Sequence, residues 1–212
     1  MKQTRPFVIT ISRQIGSGGA YLGLQLAKKL NYFYADREII RKAAAKLSVL
    51  EEDLEDREER ISSFWQVFMQ TSVFSPDVYV PQKSILPTDR ELFEAESKVI
   101  EHITREHSSV IIGRCGFYVL RGYPEHVSIF LYGDHDARVA RVQRLNQITD
   151  AEANTMVEQS DKSRAQYCKT FTGKEWTDAR NYDLSIDTSK LGLDKAVELV
   201  LDFLKVREGL NV

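Results

Sequence analysis

An α/β fold, with a parallel sheet covered by helices on both faces, is what this sequence predicts, and three observations predict it. Apolar, β-branched runs recur near residues 7–11, 109–112, 127–132 and 183–187. Stretches with helical spacing separate them, as parallel strands require, because each connection must cross back over the sheet. The middle runs are continuously apolar rather than alternating, the pattern of strands buried on both faces. With 212 residues and 42% apolar composition, the chain reads as one domain over 1–212 with room for an inserted or mobile part.

The first element is the strand Phe7-Val8-Ile9-Thr10-Ile11. A short turn follows, Gly16-Ser17-Gly18-Gly19, and then a helix with Leu22, Leu26 and Leu30 on one face. Strand, glycine turn and helix together make the architecture of a phosphate-binding loop. Glycines let backbone N–H groups converge on an anion, and the helix start adds free N–H groups and a positive dipole end. Gly16, Ser17, Gly18, Gly19, Ala20 and Tyr21 are therefore the candidate triphosphate-binding residues. The full motif G-x-x-x-x-G-K-[ST] is only partly present: Arg13 stands at the first glycine, Gly19 at the lysine and Ala20 at the Ser/Thr. The alternative is a turn that needs glycine for geometry alone. If a phosphate lies against Gly18, Gly18→Val should block it while leaving the fold intact.

After a very short strand near 32–35, Asp36 is suited to cap a helix from Arg37. Asp36 and Arg37 either serve as cap and solvent-facing charge, or touch a second substrate at the loop mouth. Residues 48–60 read as an acidic, exposed helix. Residues 61–73 have apolar helical spacing, and 75–88 contain Pro76, Pro81 and Pro87 and read as a loop. A helix from Asp89 turns Leu92, Phe93, Val99, Ile100 and Ile103 inward. The strand Ser109–Ile112 ends in Gly113-Arg114, at the sheet edge where ligands of open α/β sheets sit. Arg114 is there either as an anion ligand or as a structural arginine. The helix from Asp134 carries Arg138, Arg141 and Arg144 on one face, either a solvent stripe or guanidinium groups aimed at a triphosphate. Thr149 or Asp150 caps the next helix, which carries Asp161 and Arg164 and ends near Gly173. A last strand, 183–187, and an amphipathic helix from Leu193 close the chain.

Bulk properties narrow the function. The formal net charge is −2, so no overall field draws the chain to a nucleic-acid polymer or an anionic membrane. Anion binding would need locally clustered arginines. The two cysteines, Cys115 and Cys168, are distant in sequence and form no Cys-x-x-Cys, which argues against structural zinc or a disulfide framework. The N-terminal apolar run is too short for a signal peptide, and none approaches a membrane span. A cytoplasmic protein is the expectation.

These pieces resemble the cytidylate kinase-like group of P-loop nucleoside monophosphate kinases. The resemblance is carried by ITISRQIGSGG, YADREII, VIIGR, FLYGDHDARVARV and YDLSIDTSKLGLDKAVELVLDFL, in order along nearly the whole chain. Residues 48–106 match it only in length and helical character. The resemblance implies a P-loop fold with a five-stranded parallel sheet, a monophosphate-binding insertion at about 48–88 and a lid at about 141–179. It implies transfer of the γ-phosphoryl group of ATP, with Mg²⁺, to CMP or dCMP. Arg114 would grip the monophosphate, Arg138 and Arg141 would open the lid, and Asp161 and Arg164 would contact the pyrimidine nucleotide. An arginine of the family is Val157 here. With the loop lysine absent, Arg13 or a lid arginine would have to supply its charge, and Mg²⁺ would rest on phosphates, waters and Asp36 or Asp187. A nucleotide-binding module with little turnover and a kinase for a non-nucleotide metabolite are the alternatives.

Overall fold

The computed structural model describes residues 5–37, 39–44 and 87–208. The insertion expected at about 48–88 lies almost wholly outside them. Five strands, β1 (Val8–Arg13), β2 (Phe33–Ala35), β3 (Ser109–Ile112), β4 (His126–Tyr132) and β5 (Leu184–Asp187), form one sheet in the order β2-β3-β1-β4-β5. All four pairings are parallel; Val8 pairs with Ser109 on one side and His126 on the other. The sheet is the predicted one, with the short run near 33–35 as its edge strand.

The central strand β1 is buried throughout and feeds two cores. Ile9 and Ile11 point to the face covered by α1 (Gly19–Leu30) and the C-terminal helix, together with Val110, Ile112, Ile129, Leu22, Leu26, Val200 and Leu204. Val8 points to the other face, with Ile111, Ile40, Val99, Ile100 and Ile103. That face is covered by helical residues 39–44 and by α2 (Pro87–Glu106). Burial of both faces is why the strands read as continuous apolar runs. The remaining helices are α3 (Gly116–Val119), α4 (His135–Asn146), α5 (Asp150–Thr172), α6 (Thr188–Leu191) and α7 (Leu193–Glu208), with a 3₁₀ turn at Ala179–Asn181. Among the described residues no helix is long and apolar enough to cross a membrane.

Local chemistry sets the helix ends. Asp134 accepts from Asp136 N and Ala137 N to start α4. Thr149 and Glu152 form a reciprocal capping box on α5, and Gly173 ends it at φ 69°. Asp36 Oδ1 accepts from Ile39 N at 3.0 Å, the cap anticipated from sequence. The four-residue helices α3 and α6 are too short to leave a periodic signal.

At the start of β4, His126 Nε2 lies 2.8 Å from Thr10 Oγ1, and the ring is 8% exposed. Burial is the main cause that pushes its pKa down to about 4; the nearby Asp183 charge opposes this. The ring is therefore neutral when folded, while the unfolded chain takes up a proton below its ordinary pKa near 6.5. The unfolded state binds more protons in this window, so stability is present above about pH 6.5 and is lost as pH falls toward 4. Thermal unfolding of the wild type between pH 7 and 5 should show a fall in midpoint that is shallower in His126→Gln. Equal slopes would contradict a buried neutral His126.

Candidate functional site

The glycine loop lies between the C-terminal end of β1 and α1, with Gly16 and Gly18 in the left-handed region at φ 77° and 84°. Three guanidinium groups donate to its backbone carbonyls. Arg164 Nη1 reaches Arg13 O at 2.7 Å, Arg138 Nη1 reaches Ile15 O at 3.2 Å, and Arg141 Nη1 reaches Gly16 O at 2.8 Å. Asp161 closes the arrangement: Oδ1 accepts from Ile15 N at 3.1 Å and Oδ2 accepts from Arg138 at 2.7 Å. The Arg138 and Asp161 side chains are only 7% and 19% exposed, so their pairing offsets a real desolvation cost. Ile15 also packs against Val139, Val142, Ala153 and Val157. Val157 is thus an apolar contact for the loop, at the position where the sequence resemblance implies an arginine. On the other side, Thr188 Oγ1 donates to Ser17 O at 2.9 Å.

This clasp decides which side of the loop is open to an anion. The carbonyls are taken up by cations from α4 and α5. The N-terminus of α1 has no side-chain cap and no acidic residue in its first turn, which leaves its N–H groups suited to an anion. The solvent-stripe reading of the arginines holds only for Arg144, which is exposed; Arg138 is buried and Arg141 is half-buried. Gly18 is spared a side chain for a different reason than the sequence suggested. A Cβ there would lie 2.3 Å from Leu193 Cδ2, so the space belongs to α7. At Gly16 it would lie 2.6 Å from Arg138 O. The Tyr21 hydroxyl donates to Asp194 of α7 at 2.5 Å and the ring is 40% exposed, so its side chain is turned away from the loop.

A second cavity opens at the same sheet edge. Its walls carry four guanidinium groups, from Arg13, Arg37, Arg114 and Arg164, and aromatic faces from Phe117, Tyr167 and Trp176. Arg13 runs beneath the loop toward β3: a Cβ on Gly113 would meet Arg13 Nη1 at 2.2 Å. Its charge therefore serves this cavity, and the placement gives no support to Arg13 as a substitute for the loop lysine. Arg37 is pushed down to about 10, chiefly by burial and then by repulsion from Arg114 and Arg13. Arg114 Nη2 pairs with Glu96 Oε1 at 2.8 Å, with side-chain exposures of 6% and 1%. The Tyr167 hydroxyl donates to Glu96 Oε2 at 3.0 Å, and the Arg114 guanidinium lies 5.4 Å from the Tyr167 ring centre. Burial raises the Glu96 carboxyl, while Arg114, Tyr167 and Arg37 draw it back. The Nε of Arg114 is buried without a hydrogen-bond partner among the described residues. Among the described residues four arginines and the Glu96 carboxylate gather here, a set of donors suited to an anion.

The structure thus splits the sequence-derived candidates into two groups. Arg138, Arg141, Asp161 and Arg164 hold the loop, and Arg13, Arg37 and Arg114 line the cavity with Arg164 between them. Asp36 stands at the end of β2 as a helix cap. Glu96, Tyr167, Phe117 and Trp176 were not singled out. For Glu96 a signal existed: it lies four residues after Leu92 and three before Val99, on the apolar face of α2.

For a metal, the described residues contain no group of three His, Cys, Asp or Glu that could hold an ion. Asp36 caps residues 39–44, and Asp187 accepts from Ser189 N and Oγ as the cap of α6. Among the described residues neither carboxylate belongs to a group of three that could hold an ion.

Two outcomes follow from the clasp. Asp161→Ala strands the buried Arg138 charge and frees the Ile15 amide. It should destabilise the fold by roughly 3 kcal/mol and speed hydrogen exchange at Ile15, with Asp161→Asn milder; unchanged Ile15 protection would contradict the clasp. Gly18→Val should lower the urea midpoint rather than act only on a ligand, and Leu193→Ala in that background should restore part of it. No recovery would show that Leu193 is not the obstacle.

The comparisons with known proteins agree with this geometry. The family model of the cytidylate kinase-like family matches residues 8–190. A cytidylate kinase of Methanopyrus kandleri is 28% identical over 203 residues, covering 91% of this chain and 90% of its own. An uncharacterized protein from Eubacterium ventriosum superimposes with a TM-score of 0.70 at 22% identity, covering 95% of this chain and 99% of that one. Shikimate kinase from Bacteroides thetaiotaomicron superimposes with a TM-score of 0.51 at 15% identity, over 94% of this chain and 98% of that one. The fold is that of P-loop kinases, and, with the model matched from β1 to α6, the chain belongs to the cytidylate kinase-like family.

Proposed function

We propose that the protein is an ATP-dependent kinase that transfers the γ-phosphoryl group to the phosphate of a nucleoside monophosphate, with CMP or dCMP as the acceptor. The observation that carries this is the pairing of two anion sites at one sheet edge: an uncapped helix start behind a clasped glycine loop, and a cavity with four arginines. In this reading the loop N–H groups of Gly16 to Ala20 bind the β-phosphate. Arg114, oriented by Glu96 and Tyr167, takes the acceptor phosphate, with Arg37 and Arg13 beside it. Arg141, with Arg138 as its buried anchor, stands at the loop to stabilise charge during transfer. Phosphoryl transfer depends on such positioning and electrostatics more than on covalent chemistry by the protein.

Within the proposal, Asp161 and Arg164 read the cytosine edge. Asp161 would do so through the lone pairs that Ile15 and Arg138 leave, since a carboxylate accepts about four hydrogen bonds. Mg²⁺ would arrive on the nucleotide phosphates and keep several waters, and no step is assigned to it. The lid would be residues 141–179 and the monophosphate-binding insertion 48–88. A cytoplasmic location, where ATP and nucleoside monophosphates occur together, belongs to the same reading. One observation favours a binding module with little turnover: Gly19 and Ala20 supply neither the lysine nor the hydroxyl of the full loop motif.

The test is ADP release measured over CMP, dCMP, UMP and AMP. CMP or dCMP should stimulate it most. Arg114→Ala should raise the KM for every monophosphate at least tenfold, about 1.4 kcal/mol, and Asp161→Ala should narrow the gap between CMP and UMP. No stimulation by any of the four would move the binding-module reading ahead, and equal rates with CMP and UMP would remove Asp161 from base recognition.

A further inference from the structure

The two cysteines that look unrelated in sequence meet in space. Cys115 directly follows Arg114 at the end of β3, in a left-handed conformation at φ 52° that starts α3. Cys168 belongs to the last turns of α5, on the lid side. Both line the arginine cavity, and both are buried in one cluster with Phe117, Phe130 and Trp176. Both are free, and each is the main influence on the other's pKa. Cys168 Sγ also lies 3.4 Å from Thr172 Oγ1 and 3.6 Å from Lys174 O.

We propose that Cys115 and Cys168 form an oxidisable dithiol whose disulfide fastens α5 to the end of β3 and thereby holds the lid against the acceptor cavity. The consequence for turnover rests on the kinase reading above; the crosslink itself does not. A disulfide across this point joins two elements that lid opening would have to separate, one of them beside the residue proposed to grip the acceptor phosphate.

The two sulfurs are unequal. The neighbouring Cys115, with help from Thr172, draws the Cys168 thiol down to about 7 against its burial. The same pairing and burial push Cys115 up. Thiolate is the nucleophile in thiol chemistry, so Cys168 reacts first and Cys115 resolves. Hydrogen peroxide is the oxidant class, small enough to enter the cavity. The Cys168 thiolate attacks one peroxide oxygen, the O–O bond breaks, and hydroxide leaves to take up a proton as water, giving a sulfenic acid. The Cys115 sulfur then attacks Cys168 Sγ, its proton going to the departing hydroxyl, and a second water leaves as the S–S bond forms. Two thiols are oxidised and one peroxide is reduced to two waters. A dithiol reductant reverses the step by exchange.

The experiment treats the full chain with stoichiometric hydrogen peroxide and reads three quantities. Intact mass should fall by about 2 Da, the two hydrogens lost in a disulfide, with peptide mapping joining Cys115 to Cys168. Hydrogen exchange over residues 150–172 should slow without any nucleotide added. ADP release with the best acceptor should fall at least tenfold and return with dithiothreitol. Cys168→Ser should give no crosslink and keep its own untreated rate after the same exposure. Oxygen addition without a crosslink, or a crosslink that leaves exchange over α5 unchanged, would overturn the proposal. If no acceptor supports ADP release, mass and exchange still decide the crosslink, so the two readings fail separately.

Discussion

Everything at the sheet edge depends on how the glycine loop is held. A loop rich in glycine has no side chains with which to fix its own shape, and its backbone carbonyls repel the anion its N–H groups attract. Here guanidinium groups from α4 and α5 take those carbonyls, and Asp161 neutralises the most buried of them while accepting the Ile15 N–H. The loop is thereby both shaped and turned, with its carbonyl side to the arginines and its helix start outward. The apolar contact of Ile15 with Val139, Val142 and Val157 adds a dry component to the same joint. The loop is therefore tied to α4 and α5, and anything that moves α5 also bears on the loop.

The neighbouring cavity obeys a related constraint. Burial first, and then repulsion from Arg114 and Arg13, lowers the pKa of the half-enclosed Arg37. Glu96 relieves part of this repulsion from a position 1% exposed on α2, and Tyr167 satisfies its second oxygen. A buried charge that lost its partner would be costly, so Glu96, Arg114 and Tyr167 hold one another in place. Among the described residues the cavity lining holds several arginines beside this single carboxylate. A phosphate supplied by a ligand would complete it, which is the physical basis for reading the cavity as an acceptor site.

Much of the fold was legible in the sequence. Continuous apolar strands, Asp36 as a cap, Thr149 as one of two cap candidates, and Gly173 as a stop are local signals, and each holds in the structure. The loop and the strand-end Arg114 were legible for the same reason, since the sheet topology fixes where they stand. What could not be read was long-range pairing. Arg138 looks like part of a solvent stripe until α5 is packed against α4. The need for glycine at Gly18 is not traceable to Leu193 until α7 is seen beside it. Cys115 and Cys168 are separated by more than fifty residues, and no spacing rule brings them together. Glu96 alone carried a usable sign, as an acid on an otherwise apolar helix face.

The proposal places two phosphate sites at one sheet edge, one on the clasped loop and one among the arginines. Calorimetric titration with a bisubstrate analogue, adenosine and cytidine joined through five phosphates, tests it most directly. If both sites are occupied at once, the analogue binds one per chain and at least a hundredfold more tightly than either CMP or a non-hydrolysable ATP analogue alone, because the second contact becomes intramolecular. Affinity no better than that of the stronger single ligand would contradict the account.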